Sequence, residues 1–319
     1  MEIPMRFLPA ERFFAFIIIT IALADLTLIT VRGIAVDSLG YAVPAFGALA
    51  LIGGGQYYRV HRGEERIALA LIASGLFIIF TLVASVFNYM LLPITAVPGD
   101  VLLAHVDALF GYKWPEAVAF VAEWPAFSRT LYYVYFSSLP QLAFVVLLLG
   151  FSGKADALWH FLLTGVLGVA GCIAIWFAFP NFGPSTLFVL SPDLLSRIEL
   201  GVTPQYGEEL LRLSRDGPTY ISPANVLGLI GFPSFHTVMA CMSVVFLARF
   251  RWIFPFALCL NAIMVPAILV HGGHHLSDVV GGIAMFAVAY LLGGKLVARL
   301  AQPDGPMRHP EVTAPPAVK

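Results

Sequence analysis

Charged residues are scarce in this 319-residue chain. Lysine, arginine, aspartate and glutamate together make up 12% of it, against about 25% in soluble domains. Hydrophobic residues make up 59%, and the mean hydropathy is +0.87. This composition excludes an ordinary soluble domain and predicts an integral membrane protein. The formal net charge is −1, so nothing indicates nucleic acid as a partner.

Cysteine is also rare. The three cysteines lie inside apolar runs and form neither a C-x-x-C pair nor a metal-ligand spacing: Cys172, Cys241 and Cys259. The sequence therefore predicts no cysteine-based metal site and no cofactor.

Long apolar runs, in contrast, are abundant. A helix needs about 20 mostly apolar residues to cross a bilayer. We predict eight spanning segments, although Pro44 and Gly53-Gly54-Gly55 interrupt the second: 12–31, 41–57, 67–92, 130–152, 158–180, 233–250, 252–271 and 275–297. The predicted fold is an all-α, polytopic bundle of about eight transmembrane helices.

Two long polar connections separate these segments, 93–129 and 181–222. The first contains the amphipathic stretch YKWPEAVAFVAEWPAF, which we expect to lie along the membrane surface. The segment 222–232 is predicted to be interfacial or re-entrant. Residues 1–301 form one predicted membrane domain, and 302–319, rich in proline and alanine, a predicted disordered tail.

Lysine and arginine indicate the orientation, because they favour the cytoplasmic side. If RVHRGEER (59–66) is cytoplasmic and the chain crosses eight times, that side holds 12 of the 18 lysine and arginine residues. Both long connections then face away from the cytoplasm.

Two polar clusters interrupt the apolar C-terminal half. They are GFPSFHTV at 231–238 and HGGHHLSDVVGG at 271–282. The chain crosses the membrane twice between them, so His236 and His274 are expected at the same, non-cytoplasmic face.

The residue types in the two clusters suit phosphoryl transfer. Asp278 follows His274 by four residues, so both lie on one face of a helix. The carboxylate would fix the imidazole tautomer and leave the other ring nitrogen free as a nucleophile. Ser234 is a predicted helix cap, and the free amides behind it form an anion site that His236 adjoins as an acid.

The motifs resemble those of a known family. PSFH followed by GGHHLSD is similar to the second and third signature motifs of the type 2 phosphatidic acid phosphatase superfamily. The likeness is closer to its inositol phosphorylceramide synthase branch, where a P…GP segment and an LR-x-G segment come earlier. This chain has FPNFGP at 179–184 and LSRDG at 213–217. The resemblance covers roughly 170–285 and implies a six-helix phosphatase-type core.

The resemblance also implies a role for each site residue. His274 would be the nucleophile, Asp278 its orienting partner and His236 the acid that protonates the leaving oxygen. Ser234 and nearby amides would hold phosphate oxygens.

The chain departs from the broader superfamily in its positive charges. It contains no Arg-Pro pair, and Ile268 stands where an arginine usually precedes the nucleophile by six residues. The synthase branch shows similar losses. Arg215 and then Arg212 are the candidates to neutralise the phosphate.

We therefore expect a metal-independent membrane phosphotransferase or phosphatase that acts on a lipid phosphate or phosphodiester through a phosphohistidine. Water, inositol or another polyol, or a lipid would accept the phosphoryl group. The motifs serve hydrolysis and transfer alike, and nothing in them indicates the oligomeric state.

Three other interpretations stay open. The chain would be a transporter if its histidines and Asp278 relayed protons, and the intramembrane Asp25 is compatible with that. His271, His275 and Asp278 would be the ligands of a metal site; otherwise His271 and His275 are expected to be bystanders at the membrane boundary. A non-catalytic lipid-binding scaffold is the third alternative.

Overall fold

The computed structural model describes residues 7–301, so the predicted tail at 302–319 lies outside the described residues. Five of its helices are long and apolar enough to span a membrane: α1 (Pro9–Arg32), α2 (Ser38–Tyr57), α3 (Glu65–Met90), α8 (Ala155–Ala178) and α13 (Leu276–Leu300). A sixth candidate is the bent pair α6 (Pro125–Phe136) and α7 (Ser138–Phe151). Two shorter apolar helices are α11 (Phe235–Leu247) and α12 (Phe254–Val270). The prediction of an all-α, polytopic membrane bundle is confirmed. Five to six spans reach the required length, and α11 and α12, at the sixth and seventh predicted segments, are shorter.

The predicted single span 130–152 is two helices that meet at an angle of 50°. Pro140 lies four residues after Phe136, so it supplies no amide to the carbonyl at the end of α6. The hydroxyls of Ser137 and Ser138 bond back to the carbonyls of Val134 and Tyr135, at 2.6 and 2.8 Å. These local bonds compete with continuation of the helix.

Pro44 and the three glycines do not interrupt α2, contrary to the sequence-based expectation. The helix continues through them into a π-helical turn, Tyr58–Arg62. A Cβ added to Gly55 would lie 2.6 Å from a side-chain carbon of Ile72 on α3. Gly55 therefore lets α2 and α3 pack closely, whereas an added Cβ on Gly53 would have no atom within 4 Å.

The two long connections fold into short helices at one end of the bundle, which we call the loop end. These helices are α4 (Asp100–Leu109), α5 (Trp114–Ala122), α9 (Pro192–Arg197) and α10 (Pro204–Asp216), with a 3-10 turn at Pro184–Thr186. The basic connections 59–66, 153–157 and 249–251 lie at the opposite end.

The predicted surface stretch is partly a packed helix. Trp114, Val118 and Val121 of α5 are buried in the apolar cluster that also contains residues of α6, α9 and α12, whereas Phe120 is exposed. Segment 222–232 contains no helix. A parallel strand pair that the sequence did not predict joins β1 (Ala35–Val36) to β2 (Tyr220–Ile221).

The central bundle consists of α3, α7, α8, α11, α12 and α13, and α1 and α2 pack on its α3 side. Its largest apolar cluster contains Phe14, Trp159, Phe161 and Phe246. His236 lies in the first turn of α11, and His274 lies in the connection between α12 and α13.

Candidate active site

His236 and His274 lie next to each other at the loop end. α11 begins beside His236, α12 returns the chain to the same end, and His274 lies in the turn before α13. The two imidazole centroids are 5.9 Å apart, with ring planes at 66°. The structure therefore brings together the two histidines that the topology predicted on one face.

His274 is paired with Asp278. Its Nδ1 lies 3.0 Å from Oδ2 of Asp278, and both side chains are buried. The same carboxylate oxygen accepts the backbone N–H of His275 at 2.9 Å, which fixes its position at the start of α13. Since Nδ1 faces the carboxylate, Nε2 is the nitrogen left for chemistry.

The ring of His236 is stacked on Tyr135 of α6, with centroids 4.6 Å apart and planes at 29°. Gly272 fills the space between Tyr135 and His274, since an added Cβ would lie 2.7 Å from the tyrosine ring and 3.1 Å from the histidine ring. Tyr135 was not predicted as part of the site, because no sequence motif connects it with His236, about 100 residues later.

Ser234 joins the two clusters. Its Oγ accepts the N–H of Thr237 at 3.3 Å, so it caps α11 as predicted. Its own N–H donates to the carbonyl of Asp278 at 3.0 Å. Its carbonyl lies so close to Gly282 that an added Cβ there would approach within 2.5 Å. The cap of α11 is thereby fastened to the first turns of α13.

Arg212 and Arg215 lie on α10. The guanidinium of Arg212 is paired with Glu209 at 2.6 Å, and the side chain of Arg215 is exposed. α10 packs on the 3-10 turn, where Ser185 lies between Gly207 and Gly273. α10 therefore approaches the turn at Gly273 through Ser185, while the hydrogen bonds and ion pairs found within residues 7–301 connect neither arginine to His236, His274 or Asp278.

His275 is held by α4 through two carboxylates. Its Nδ1 lies 3.3 Å from Asp107 and its Nε2 3.4 Å from Asp100, and all three side chains are buried. Asp107 also accepts the N–H groups of Leu276 and Ser277, at 2.8 and 2.9 Å. His275 is thus no bystander, because it fastens the turn that contains His274 (residues 271–275) to α4.

Asp100 extends this connection to the FPNFGP segment. Its carboxylate accepts the N–H groups of Phe182 at 3.1 Å and Gly183 at 2.7 Å. Asp100 and Asp107 are seven residues apart, so they share one face of α4. Two acids seven residues apart on a largely apolar ten-residue helix were the signal in the sequence that could have indicated this connection.

The charge state of His275 follows from these neighbours. Burial alone would lower its pKa, but the carboxylates of Asp100 and Asp107 outweigh that effect and raise the pKa from 6.5 to about 9. Burial would raise the pKa of Asp107, but the hydrogen bonds that it accepts from His275, Ser277 and Leu276 outweigh burial and lower it. We therefore describe His275 as an imidazolium between two carboxylates at neutral pH.

We predict that His275→Gln lowers the melting temperature at pH 6.5, because removal of one member of a buried charge pair costs about 3–5 kcal/mol. The difference from wild type should shrink as the pH rises through about 9, since the raised pKa makes this stabilisation complete below 6.5 and lost above 9. Thermal unfolding of the detergent-solubilised protein measures it, with His105→Gln at an exposed position of α4 as control. Equal melting temperatures for the two variants would contradict the stabilising role of the contacts between His275 and the two aspartates of α4.

The position of the turn that contains His274 also depends on Gly183. It has a φ of +85°, and an added Cβ would collide with the carbonyl oxygen of Gly273. A side chain there would push the turn that contains His274 away from the FPNFGP segment.

We predict that Gly183→Ala lowers turnover by about 10²-fold, the size of effect expected from a displacement of about 1 Å. Gly63→Ala is the matched control, since Gly63 has a φ of +68° but no atom within 4 Å of its added Cβ. Similar turnover in the two variants would show that the collision with Gly273 is unimportant.

His236, His274 and Asp278 lie within a part of the chain that matches the sequence model of a protein family. A family model described as the PAP2 superfamily matches residues 101–292, which is more than half of the chain. Comparison with curated proteins and with solved structures gave no match.

Proposed function

Because the chain belongs to the PAP2 superfamily, we propose that it is a membrane phosphatase or phosphotransferase that acts on a lipid phosphate or phosphodiester through a phosphohistidine. Membership supports a phosphatase-type enzyme. The observation that carries the finer proposal is the His274–Asp278 pair with the His236 ring 5.9 Å from that of His274.

In the first step, Nε2 of His274 attacks the phosphorus atom. The N–P bond forms as the bond from phosphorus to the leaving oxygen breaks. Asp278 stabilises the positive charge that develops on the His274 ring through its contact with Nδ1. His236 must hold a proton for this step, which the negative charge of a bound phosphate beside it would favour, and it gives that proton to the leaving oxygen.

In the second step, water or an alcohol attacks the phosphorylated His274. Its proton passes to His236, the N–P bond breaks and the electron pair returns to Nε2. Both histidines then have their starting protonation states. The cycle needs one acid–base group and one nucleophile on opposite sides of one phosphorus atom.

The phosphate oxygens would be held by the first turn of α11. Ser234 and the amides that follow it supply donors at a helix N-terminus, where anions are stabilised. For the positive charge we favour Arg215 over Arg212, because Glu209 already pairs with Arg212.

We further propose the inositolphosphotransferase-like branch. The segment FPNFGP supports it, because Gly183 and Asp100 connect this segment to the turn that contains His274. The lack of an Arg-Pro pair and Ile268 before the nucleophile match the same branch. Transfer to a polyol would then compete with hydrolysis.

The loop end would face the non-cytoplasmic side. The connections rich in arginine and lysine, 59–66, 153–157 and 249–251, lie at the opposite end of the bundle. Basic connections favour the cytoplasm, so the histidine cluster would open towards the periplasm or lumen.

An assay in detergent micelles tests this function, since micelles allow no gradient. The purified full chain is given radiolabelled phosphatidic acid, and in parallel labelled phosphatidylinositol with ceramide. We expect release of phosphate or transfer of the labelled headgroup. No reaction with either lipid, together with proton-dependent uptake in vesicles, would contradict the enzyme and favour a transporter.

A further inference from the structure

The two histidines of the site are held by different kinds of contact. A hydrogen-bond partner orients His274, because its Nδ1 lies 3.0 Å from Oδ2 of Asp278. Within residues 7–301, no side chain or backbone group is hydrogen-bonded to the ring of His236. Its ring contacts in the same range are with Tyr135 at 4.6 Å and His274 at 5.9 Å between centroids. The orientation of His236 therefore depends on packing, and the nearer ring is that of Tyr135.

Tyr135 is itself held firmly in place. Only 9% of the residue is exposed. An added Cβ would lie 3.2 Å from its Cδ1 at Gly201 and 2.7 Å from its Cε2 at Gly272, so glycine backbone borders both edges of the ring. The hydroxyl of Ser138 donates to the carbonyl of Tyr135 at 2.8 Å, at the bend between α6 and α7. The bend therefore places the tyrosine ring against His236.

The imidazole of His236 lies over the face of the tyrosine ring, since the two planes meet at 29°. The face of an aromatic ring carries negative charge and attracts a cation within about 6 Å of its centroid. A protonated His236 is therefore held more strongly than a neutral one. A carboxylate in the place of Tyr135 would have the same effect, but its charge would repel the phosphate, whereas a tyrosine ring carries no net charge.

We propose that Tyr135 is the positioning residue of His236, which fixes the orientation of the imidazole and favours its protonated form without touching the substrate. The inference rests on the proposed phosphohistidine cycle. In its first step the proton moves from His236 to the leaving oxygen, the bond from that oxygen to phosphorus breaks, and the imidazole becomes neutral. The larger protonated fraction outweighs the weaker acid strength, because the proton is only partly transferred in the transition state.

The test measures how fast the protein is labelled by ³²P-phosphatidic acid within one turnover, with the full chain in micelles. Tyr135→Leu removes the ring and should lower this rate by about ten- to thirtyfold, the size of a cation–π contact away from water. Tyr135→Phe keeps the ring and should restore most of the rate. Tyr133→Leu is the matched control, because Tyr133 lies on the same helix and is 67% exposed. Its labelling rate should equal that of the wild type.

A double variant shows whether Tyr135 acts through His236. His236→Ala should lower the labelling rate by about 10²- to 10⁴-fold. Adding Tyr135→Leu to His236→Ala should then change the rate by less than about twofold, because the partner of the tyrosine ring is already gone. A merely structural role of Tyr135 would lower the rate by the same factor in both backgrounds, and that result would overturn the proposal.

A better leaving group gives an independent test. Nitrophenolate leaves without a proton, so p-nitrophenyl phosphate needs no acid in the first step. The initial burst of nitrophenolate should therefore be nearly as fast in Tyr135→Leu as in the wild type, although labelling by phosphatidic acid is slow. Equal losses with both substrates would overturn the role of Tyr135.

Fluorinated phenylalanines at position 135 test the ring face in a protein of unchanged shape, should Tyr135→Leu fail to fold. Fluorine withdraws negative charge from the face, so the labelling rate should fall stepwise from phenylalanine to its mono-, di- and trifluorinated forms. A constant rate across this series would overturn the proposal.

The outcomes separate the two proposals. A loss in His236→Ala without a loss in Tyr135→Leu would remove Tyr135 and leave the phosphohistidine cycle intact. No labelling of the wild-type protein, or labelling that His236→Ala does not slow, would contradict the proposed function itself, and the role of Tyr135 with it.

Discussion

Replacing His274 by asparagine should lower turnover by about 10⁴- to 10⁶-fold, as loss of a nucleophile does in enzymes that use a covalent intermediate. The fold should survive, because Asp278 keeps the N–H of His275 as a partner when the imidazole is gone. Phosphate release from a labelled lipid measures turnover, and thermal unfolding checks the fold.

His105→Asn is the control, since His105 is an exposed histidine at the same end of the bundle. It should keep nearly all of the activity. Turnover near the wild-type value in His274→Asn, in a preparation with a normal melting temperature, would remove His274 from the mechanism.

Asp278→Asn should lower turnover by about 10³- to 10⁴-fold while the substrate still binds. The amide can replace the carboxylate as an acceptor for the N–H of His275, but it cannot stabilise a positive imidazole in the same way. The loss should therefore appear in kcat with little change in KM.

A matched acid at the opposite end tests whether the effect is local. Asp156 is also in the first turn of a spanning helix, α8, but it is exposed and far from the histidines. Asp156→Asn should change turnover very little. If both aspartate variants lost activity equally, Asp278 would act only by stabilising the N-terminus of its helix, and not as the partner of His274.

Much of the site was predictable from sequence because it depends on local spacing and on the number of crossings. The pairing of His274 with Asp278 was predicted from their separation of four residues, although His274 lies just before the cap of α13 and not within the helix as expected. The approach of His236 to His274 follows from the two helices between them, since an even number of crossings returns the chain to the same end.

The parts that were missed depend on contacts between residues far apart in the chain. Asp107 bonds residues about 170 positions later, and Tyr135 stacks on a histidine about 100 positions later. Neither contact has a local periodic signal. His275 was misread as a bystander for the same reason, because its partners belong to α4.

The breaks in the helices were also hard to predict. Composition alone gives one apolar span at 130–152, but Pro140 and the two serines at 137–138 divide it. In α2 the opposite happened, since glycines that weaken an isolated helix are stabilised by close packing on α3. In both cases tertiary contacts and single backbone groups decided whether the helix continued, which hydrophobicity alone does not indicate.

Trapping of the covalent intermediate tests the central claim most directly. The full chain is mixed with ³²P-labelled phosphatidic acid and quenched within one turnover, and the labelled peptide is identified. We predict an acid-labile, alkali-stable phosphoryl group on His274 that is absent from His274→Asn. Turnover with no protein-bound phosphate at any time, or label on a residue other than His274, would contradict the account.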